Sequence, residues 1–154
     1  ENRGPRQPLR SYHGKSWIPI LGDEDAAHHE TIFASHTFHE IQMYYPMRVV
    51  RDKQYKLIWN IASPLTYPLA SDLYASPTWQ GILERKDSQY GSRSVERLLH
   101  RPPHELYDLE ADPDELQNLA DRPENAALLK ELQETMKTWQ KQTRDPWISK
   151  WEYE

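Results

Sequence analysis

The sequence predicts an α+β fold: a small antiparallel sheet of about four strands packed against a long C-terminal helix. Three observations predict it. Leu128, Leu129, Leu132, Met136 and Trp139 fall on one stripe at helical spacing between Pro123 and about Thr143. The runs Ile41–Arg51 and Tyr55–Asn60 are rich in β-branched and aromatic residues and flank a short polar turn, Asp52-Lys53-Gln54. Two shorter runs, Thr31–Ser35 and Glu105–Leu109, supply the remaining strands, the first expected to be buried.

The elements follow in order. Residues 1–15 form a basic, irregular lead-in carrying Arg3, Arg6, Arg10 and Lys15. Gly14–Gly22 is a short apolar segment closed by glycine, and residues 23–30 are a polar connector. Within Ile41–Arg51, Pro46 lacks the N–H that a ladder needs, so its part of the strand belongs to an edge or a bulge. In the next strand Tyr55, Leu57 and Trp59 alternate with Lys56, Ile58 and Asn60, which makes at least one face apolar. Residues 61–76 are a proline-punctuated loop. Ser76 as N-cap and Pro77 at the first helical position start a helix over Pro77–Arg85. Residues 87–93 are polar and expected to be mobile. Val95–His100 reads as a second short helix stopped by Pro102-Pro103. Asp112–Asn118 reads as a single helical turn with Pro113 at its start, and Asp145-Pro146 ends the long helix. The expected division is residues 1–30 and residues 31–154.

Composition removes several function classes. With 154 residues the chain can bury one modest core. The 12 prolines against 5 glycines and a mean hydropathy of −0.94 fit a loop-rich chain, or one with surface built to cover something else. A net charge of −5 argues against duplex nucleic acid as a partner. The absence of cysteine removes disulfides, Cys-ligated zinc and thiol nucleophiles together. No apolar run reaches the roughly 18 residues of a membrane span. The start, Glu1-Asn2-Arg3-Gly4, has neither an initiator Met nor an apolar leader, so the expectation is a chain that begins in mid-protein.

Three segments carry a family resemblance. Gly14-Lys-Ser-Trp-Ile-Pro-Ile-Leu-Gly22 is similar to the G-x-S-x-x-P-x-L-x-G element that closes the large domain of sulfatases, in the alkaline phosphatase superfamily. Glu105-Leu-Tyr-Asp-Leu through Asp112-Pro-Asp-Glu-Leu-Gln-Asn-Leu-Ala120 resembles the ELYDL…DPxExxNLA stretch of sulfatase carboxy-terminal subdomains. Ser35-His-Thr-Phe-His-Glu through Met43-Tyr-Tyr-Pro-Met-Arg-Val-Val-Arg51 resembles the heparan N-sulfatases within that family, and the similarity continues through Tyr74–Gln80 and Trp139–Trp147.

The resemblance implies a parent that hydrolyses sulfate from glucosamine nitrogen or a related sugar. It implies that residues 1–30 are the tail of the large domain with its connector, and residues 31–154 the carboxy-terminal subdomain. Sulfatases take their nucleophile from a C/S-x-P-S-R motif oxidised to formylglycine. Ser63-Pro64 and Ser76-Pro77 lack the rest of that motif. Formylglycine and calcium are therefore expected in an N-terminal catalytic domain that would be this chain's partner. A sulfated sugar is the expected substrate of the parent, a second copy of the chain is a further candidate partner, and the family implies an extracytoplasmic setting. No catalytic residue and no metal ligand is assigned here.

The residues left for function are sugar contacts: His39, Glu40, His36 and Arg48. His39 and Glu40 are adjacent and follow a strand, where loops present side chains at a pocket rim. A carboxylate accepts from sugar hydroxyls, and an imidazole donates to hydroxyls or sulfate. Arg48, within a strand, also fits a structural ion pair. Tyr44 and Tyr45 fit packing, as do Trp79, Trp139, Trp147 and Trp151. His28 and His29 are expected to point apart on a solvated connector, and His13, His100 and His104 show no ligand spacing. The carboxylates from Asp108 to Glu115 lack the spacing and glycine of a calcium loop and fit a solvated turn. Two alternatives stay open: a stand-alone binding module that kept the fold, and part of an O-sulfatase for another sugar or an aryl sulfate.

Overall fold

The computed structural model describes residues 13–23, 25–40 and 43–152. The chain divides into two units between Glu30 and Thr31. In the first, Pro19 lies inside a 3-10 turn, Ile18–Ile20, and Lys15 donates to the His28 carbonyl at 3.2 Å. The rings of His28 and His29 meet edge-on with centroids 4.4 Å apart, rather than pointing apart. Outside a strand, the two-residue alternation that separates neighbours does not apply.

The second unit is built on a four-stranded antiparallel sheet in the order β1-β2-β3-β6. Its strands are β1 (Ile32–His39), β2 (Met43–Arg51), β3 (Tyr55–Asn60) and β6 (His104–Asp108). The expected hairpin is present. Asp52 closes its turn, with Oδ1 accepting from the Gln54 and Tyr55 amides at 2.8 and 2.6 Å. Such aspartate turns mimic a backbone turn with a side chain. Between β3 and β6 run α1 (Ser71–Tyr74), α2 (Pro77–Arg85), a small hairpin of β4 (Gln89–Tyr90) and β5 (Arg93–Ser94), and α3 (Val95–Leu99). After β6 comes α4 (Ala126–Thr143), then a 3-10 turn at Pro146–Trp151.

The α4 stripe covers one face of the sheet. Val50, Leu57, Trp59 and Leu106 from the strands pack with Leu132 and Met136. Phe33 stacks on Trp139 at 5.0 Å, and Trp59 stacks on Trp151 at 3.8 Å. The chain between β3 and β6 covers the other face, where Tyr45 meets Tyr67 edge-on at 5.0 Å. Buried Asn60 donates there to the Pro102 carbonyl at 2.8 Å and to Glu105 at 2.7 Å.

Four expectations change and one is met. β1 runs on to His39 and is an edge strand, so Ile32, Ala34 and Ser35 are exposed instead of buried. Phe33 gains cover by stacking on Trp139, and His36 and Thr37 are half-buried. The Pro46 expectation is met by a bulge in an interior strand: His36 pairs with Met47 and Phe38 with Tyr44, leaving Tyr45 and Pro46 opposite Thr37 alone. The Pro46 carbonyl accepts from the Ile61 amide at 3.0 Å. The loop over residues 61–76 contains α1. Residues 87–93 form the β4–β5 hairpin, turned by Gly91 at φ +62°. Asp112–Asn118 is a turn and not a helix. Glu115 at φ +56° breaks it, while Asp112 Oδ2 accepts from the Gln117 amide at 2.7 Å.

Candidate functional site

β1 and β2 bring the four sequence-derived residues to one end of the sheet, in two different settings. His39 is the last residue of β1, exposed, and pairs across the ladder with Met43. Glu40 follows in the turn with φ +58°. A non-glycine residue there costs roughly 1–2 kcal/mol, and such outliers cluster where function fixes a side chain. The Glu40 carboxylate is exposed and accepts from the Ser71 hydroxyl at 3.2 Å. Ser71 opens α1, so the rim joins the β1–β2 turn to the segment covering the sheet. Ile41 and Gln42 lie outside the described residues.

His36 is half-buried behind this rim. Its Nδ1 lies 3.0 Å from the Tyr45 carbonyl oxygen. A carbonyl only accepts, so Nδ1 carries the proton, and the bond fixes the ring's orientation.

Arg48 is inside the protein, 4% exposed. Its guanidinium grips Asp145 through Nε at 2.5 Å and Nη2 at 2.8 Å. Nη1 donates to the carbonyls of His36 and Met47 at 3.0 and 2.8 Å. The pair extends into a network: Gln140 donates to Asp145 at 3.0 Å, and the Trp151 indole donates to Gln140 at 2.7 Å. Burial alone would raise the Asp145 pKa, but the hydrogen bonds from Arg48, Gln140 and the Trp147 amide outweigh it and hold the carboxyl below its ordinary value. Arg48 thus ties β2 and the His36 backbone to the chain after α4, and four of its five N–H groups are engaged.

The rim therefore offers an imidazole, a carboxylate and a hydroxyl. These groups can hold sugar hydroxyls or an ammonium. The Ser71 hydroxyl donates to the Glu40 carboxylate, and among the described residues it has no imidazole partner to activate it as a nucleophile.

No family model matches the chain. Among curated proteins it is 38% identical over 138 residues to N-sulphoglucosamine sulphohydrolase of Homo sapiens, a match covering 88% of this chain and 27% of that protein. The chain is a relative of the sulfatases. It is also 30% identical over 134 residues to an ulvan-active sulfatase of Formosa agariphila, covering 86% of this chain and 25% of that protein. A solved 2-O GAG sulfatase superposes with a TM-score of 0.58 over 93% of this chain and 23% of its own, at 19% identity, which shows a shared fold. The chain thus spans about a quarter of the length of the curated sulfatases it matches.

The sulfatase relationship raises the question of calcium, and the described residues do not fit it. Asp108 Oδ1 accepts from the Glu110 and Ala111 amides at 3.0 and 3.1 Å, Asp112 caps its own turn, and Glu115 pairs with Lys56. No group of three or more His, Asp or Glu converges among the described residues.

Sequence reasoning missed two sets of polar residues. Ser71 carries no local signal, because its link to Glu40 spans 31 residues. Arg93, Arg97 and Arg101 line a cavity beside β6 and recur every fourth residue, a regular run of cations that was there to be read, although only Arg97 lies on a helix.

Proposed function

We propose that this chain is the carboxy-terminal part of a sulfatase that releases sulfate from N-sulfoglucosamine or a closely related sugar, and that it forms one wall of the substrate pocket. The single observation that carries the reading is the 38% identity to N-sulphoglucosamine sulphohydrolase along 88% of this chain. The geometry supports a wall and not an engine. His39 and Glu40 stand exposed at one end of the sheet, while the His36 ring is bonded to the Tyr45 carbonyl and Arg48 ties the His36 backbone to Asp145. In this reading Glu40 accepts from sugar hydroxyls, His39 donates to a hydroxyl or to sulfate, and the strained turn pre-sets both. The nucleophile, formylglycine, and the calcium belong to a catalytic domain outside this sequence, which is the chain's principal partner. The assembled protein works outside the cytoplasm. Among the described residues no helix is long and apolar enough to cross a membrane.

The ulvan-active relative favours a second reading, an O-sulfatase for another sulfated polysaccharide. One experiment addresses both. The chain replaces the segment that it matches in the human sulphohydrolase, and sulfate release from N-sulfoglucosamine and from an O-sulfated sugar is measured by ion chromatography. The expected result is release from N-sulfoglucosamine by the chimera and none by the chain alone. Turnover by the isolated chain would overturn the division of labour, and a folded chimera active only on the O-sulfated sugar would replace the first reading by the second.

A further inference from the structure

On the sheet face opposite α4, at the β6 edge, lies a cavity of about 220 Å³. It is separated from the His39–Glu40 rim by the width of the sheet, since β1 and β6 are the two edge strands. Arg93 on β5, Arg97 on α3 and Arg101 just after it line one side. Glu105, Tyr107 and Glu115 line the other.

The cations are in excess and the anions are already satisfied. None of the three arginines pairs with a carboxylate among the described residues. Each is instead anchored to the main chain: Arg93 to the Asp114 carbonyl at 3.0 Å, Arg97 to the Leu116 carbonyl at 3.2 Å, and Arg101 to the Leu98 carbonyl at 3.4 Å. The Arg101 guanidinium also lies 3.7 Å over the Tyr67 ring. One bond to a carbonyl positions a guanidinium while leaving most of its five N–H donors open. Glu105 accepts from Asn60 at 2.7 Å and from the Tyr107 hydroxyl at 2.6 Å. Burial first, and then that bond to Glu105, push the Tyr107 pKa up, so the phenol remains a donor. Glu115 is neutralised by Lys56.

From this arrangement we infer that the cavity is a second, anion-binding site, separate from the sugar rim, that takes a tetrahedral oxyanion through Arg93 and Arg97. Planar guanidinium forks match such oxygens in pairs. The volume is below the roughly 300–1,000 Å³ of sites for drug-sized ligands, which fits a head group and not a long chain. Ser92 and Ser94 on the lining add hydroxyl donors for the remaining oxygens. The oxyanion can come from two sources, a free inorganic anion or a sulfate group carried on a saccharide.

The test is a titration of the full chain, followed by two-dimensional amide NMR at constant ionic strength set with chloride. One arm uses sodium sulfate and the other a sulfated disaccharide. The expected result is saturable shifts in β5, α3 and β6 and their neighbours, weakened about tenfold or more in Arg93→Gln/Arg97→Gln. Equal affinity for both probes assigns the site to the free anion, and tighter binding of the disaccharide assigns it to the carried sulfate. Arg101 is left intact because its stacking on Tyr67 makes it part of the fold. Circular dichroism checks that the double variant stays folded, and the single variant Arg97→Gln serves if it does not. Absence of saturable shifts with both probes overturns the inference, as does binding that the substitutions leave unchanged. The shifts are read on β5, α3 and β6, at the opposite edge of the sheet from the His39–Glu40 rim, so failure here is distinguishable from failure of the sugar-wall reading.

Discussion

Replacing Arg48 by Met should destabilise this protein more than any other single surface-polar or buried-polar change in the sheet. The side chains of Arg48 and Asp145 are 5% and 7% exposed, and the pair is bidentate. Removing the guanidinium strands a buried carboxylate that keeps only Gln140 and the Trp147 amide as donors. It also removes the donors to the His36 and Met47 carbonyls. Breaking one side of a buried pair costs about 3–5 kcal/mol. That is a large share of the roughly 5–15 kcal/mol by which a domain is stable. The second mutation, Asp145→Asn, keeps the cap on the Trp147 amide but removes the charge. The double variant Arg48→Met/Asp145→Asn then buries no uncompensated charge, so it should lose less than the two single losses added together. Urea unfolding followed by tryptophan fluorescence measures all four proteins, with Trp59, Trp139 and Trp151 reporting on the core. A coupling energy of about 2 kcal/mol or more is expected. A coupling below about 0.5 kcal/mol, the range of exposed pairs, would refute the reasoning, because the pair would then be worth no more than a solvated contact.

Other consequences are as direct. Because the Asp145 carboxyl titrates below its ordinary value of 3.8 in the folded protein, its contribution is complete above that value and is lost as pH falls through the lowered one. Stability of the native chain should therefore drop more steeply below about pH 4 than that of Asp145→Asn, as read by acid unfolding curves. Met136 is fully buried against Leu132 and the strands, so Met136→Ala should cost about 2–5 kcal/mol in urea unfolding. The Ser76 hydroxyl accepts from the Trp79 amide at 3.2 Å, and Ser76→Ala should cost about 1 kcal/mol by the same assay. Lys86 ends α2 in a left-handed conformation at φ +56°, so Lys86→Gly should raise the thermal midpoint; a lowered midpoint would contradict the capping account.

Much of the fold was legible because local and global signals agree. The Ser76-Pro77 start fixed α2 to its observed ends, and the stripe from Leu128 to Trp139 marked α4. Pro46 announced a bulge through its missing N–H, which no periodicity reading was needed to see. What failed to show in the sequence was set by distant partners. Thr31–Ser35 looks buried from its composition, but exposure there depends on β1 being the last strand of the sheet. The Asp112 turn contains good helix-starting residues, yet Glu115 turns left-handed and meets Lys56, 59 residues away in sequence. In the site, His39 and Glu40 were legible as an exposed pair after a strand. The role of Arg48 was legible as an ion pair in kind, but Asp145 lies 97 residues off and no local pattern names it.

The measurement that bears most directly on the central claim is kcat/KM for N-sulfoglucosamine in the chimera, with Glu40 and with Glu40→Gln. Losing a charge-assisted hydrogen bond of about 1.5–3 kcal/mol should lower kcat/KM roughly tenfold to a hundredfold, while urea unfolding shows no matching loss of stability. A chimera that turns over equally well with glutamine at this position would contradict the account and leave Glu40 as a turn residue.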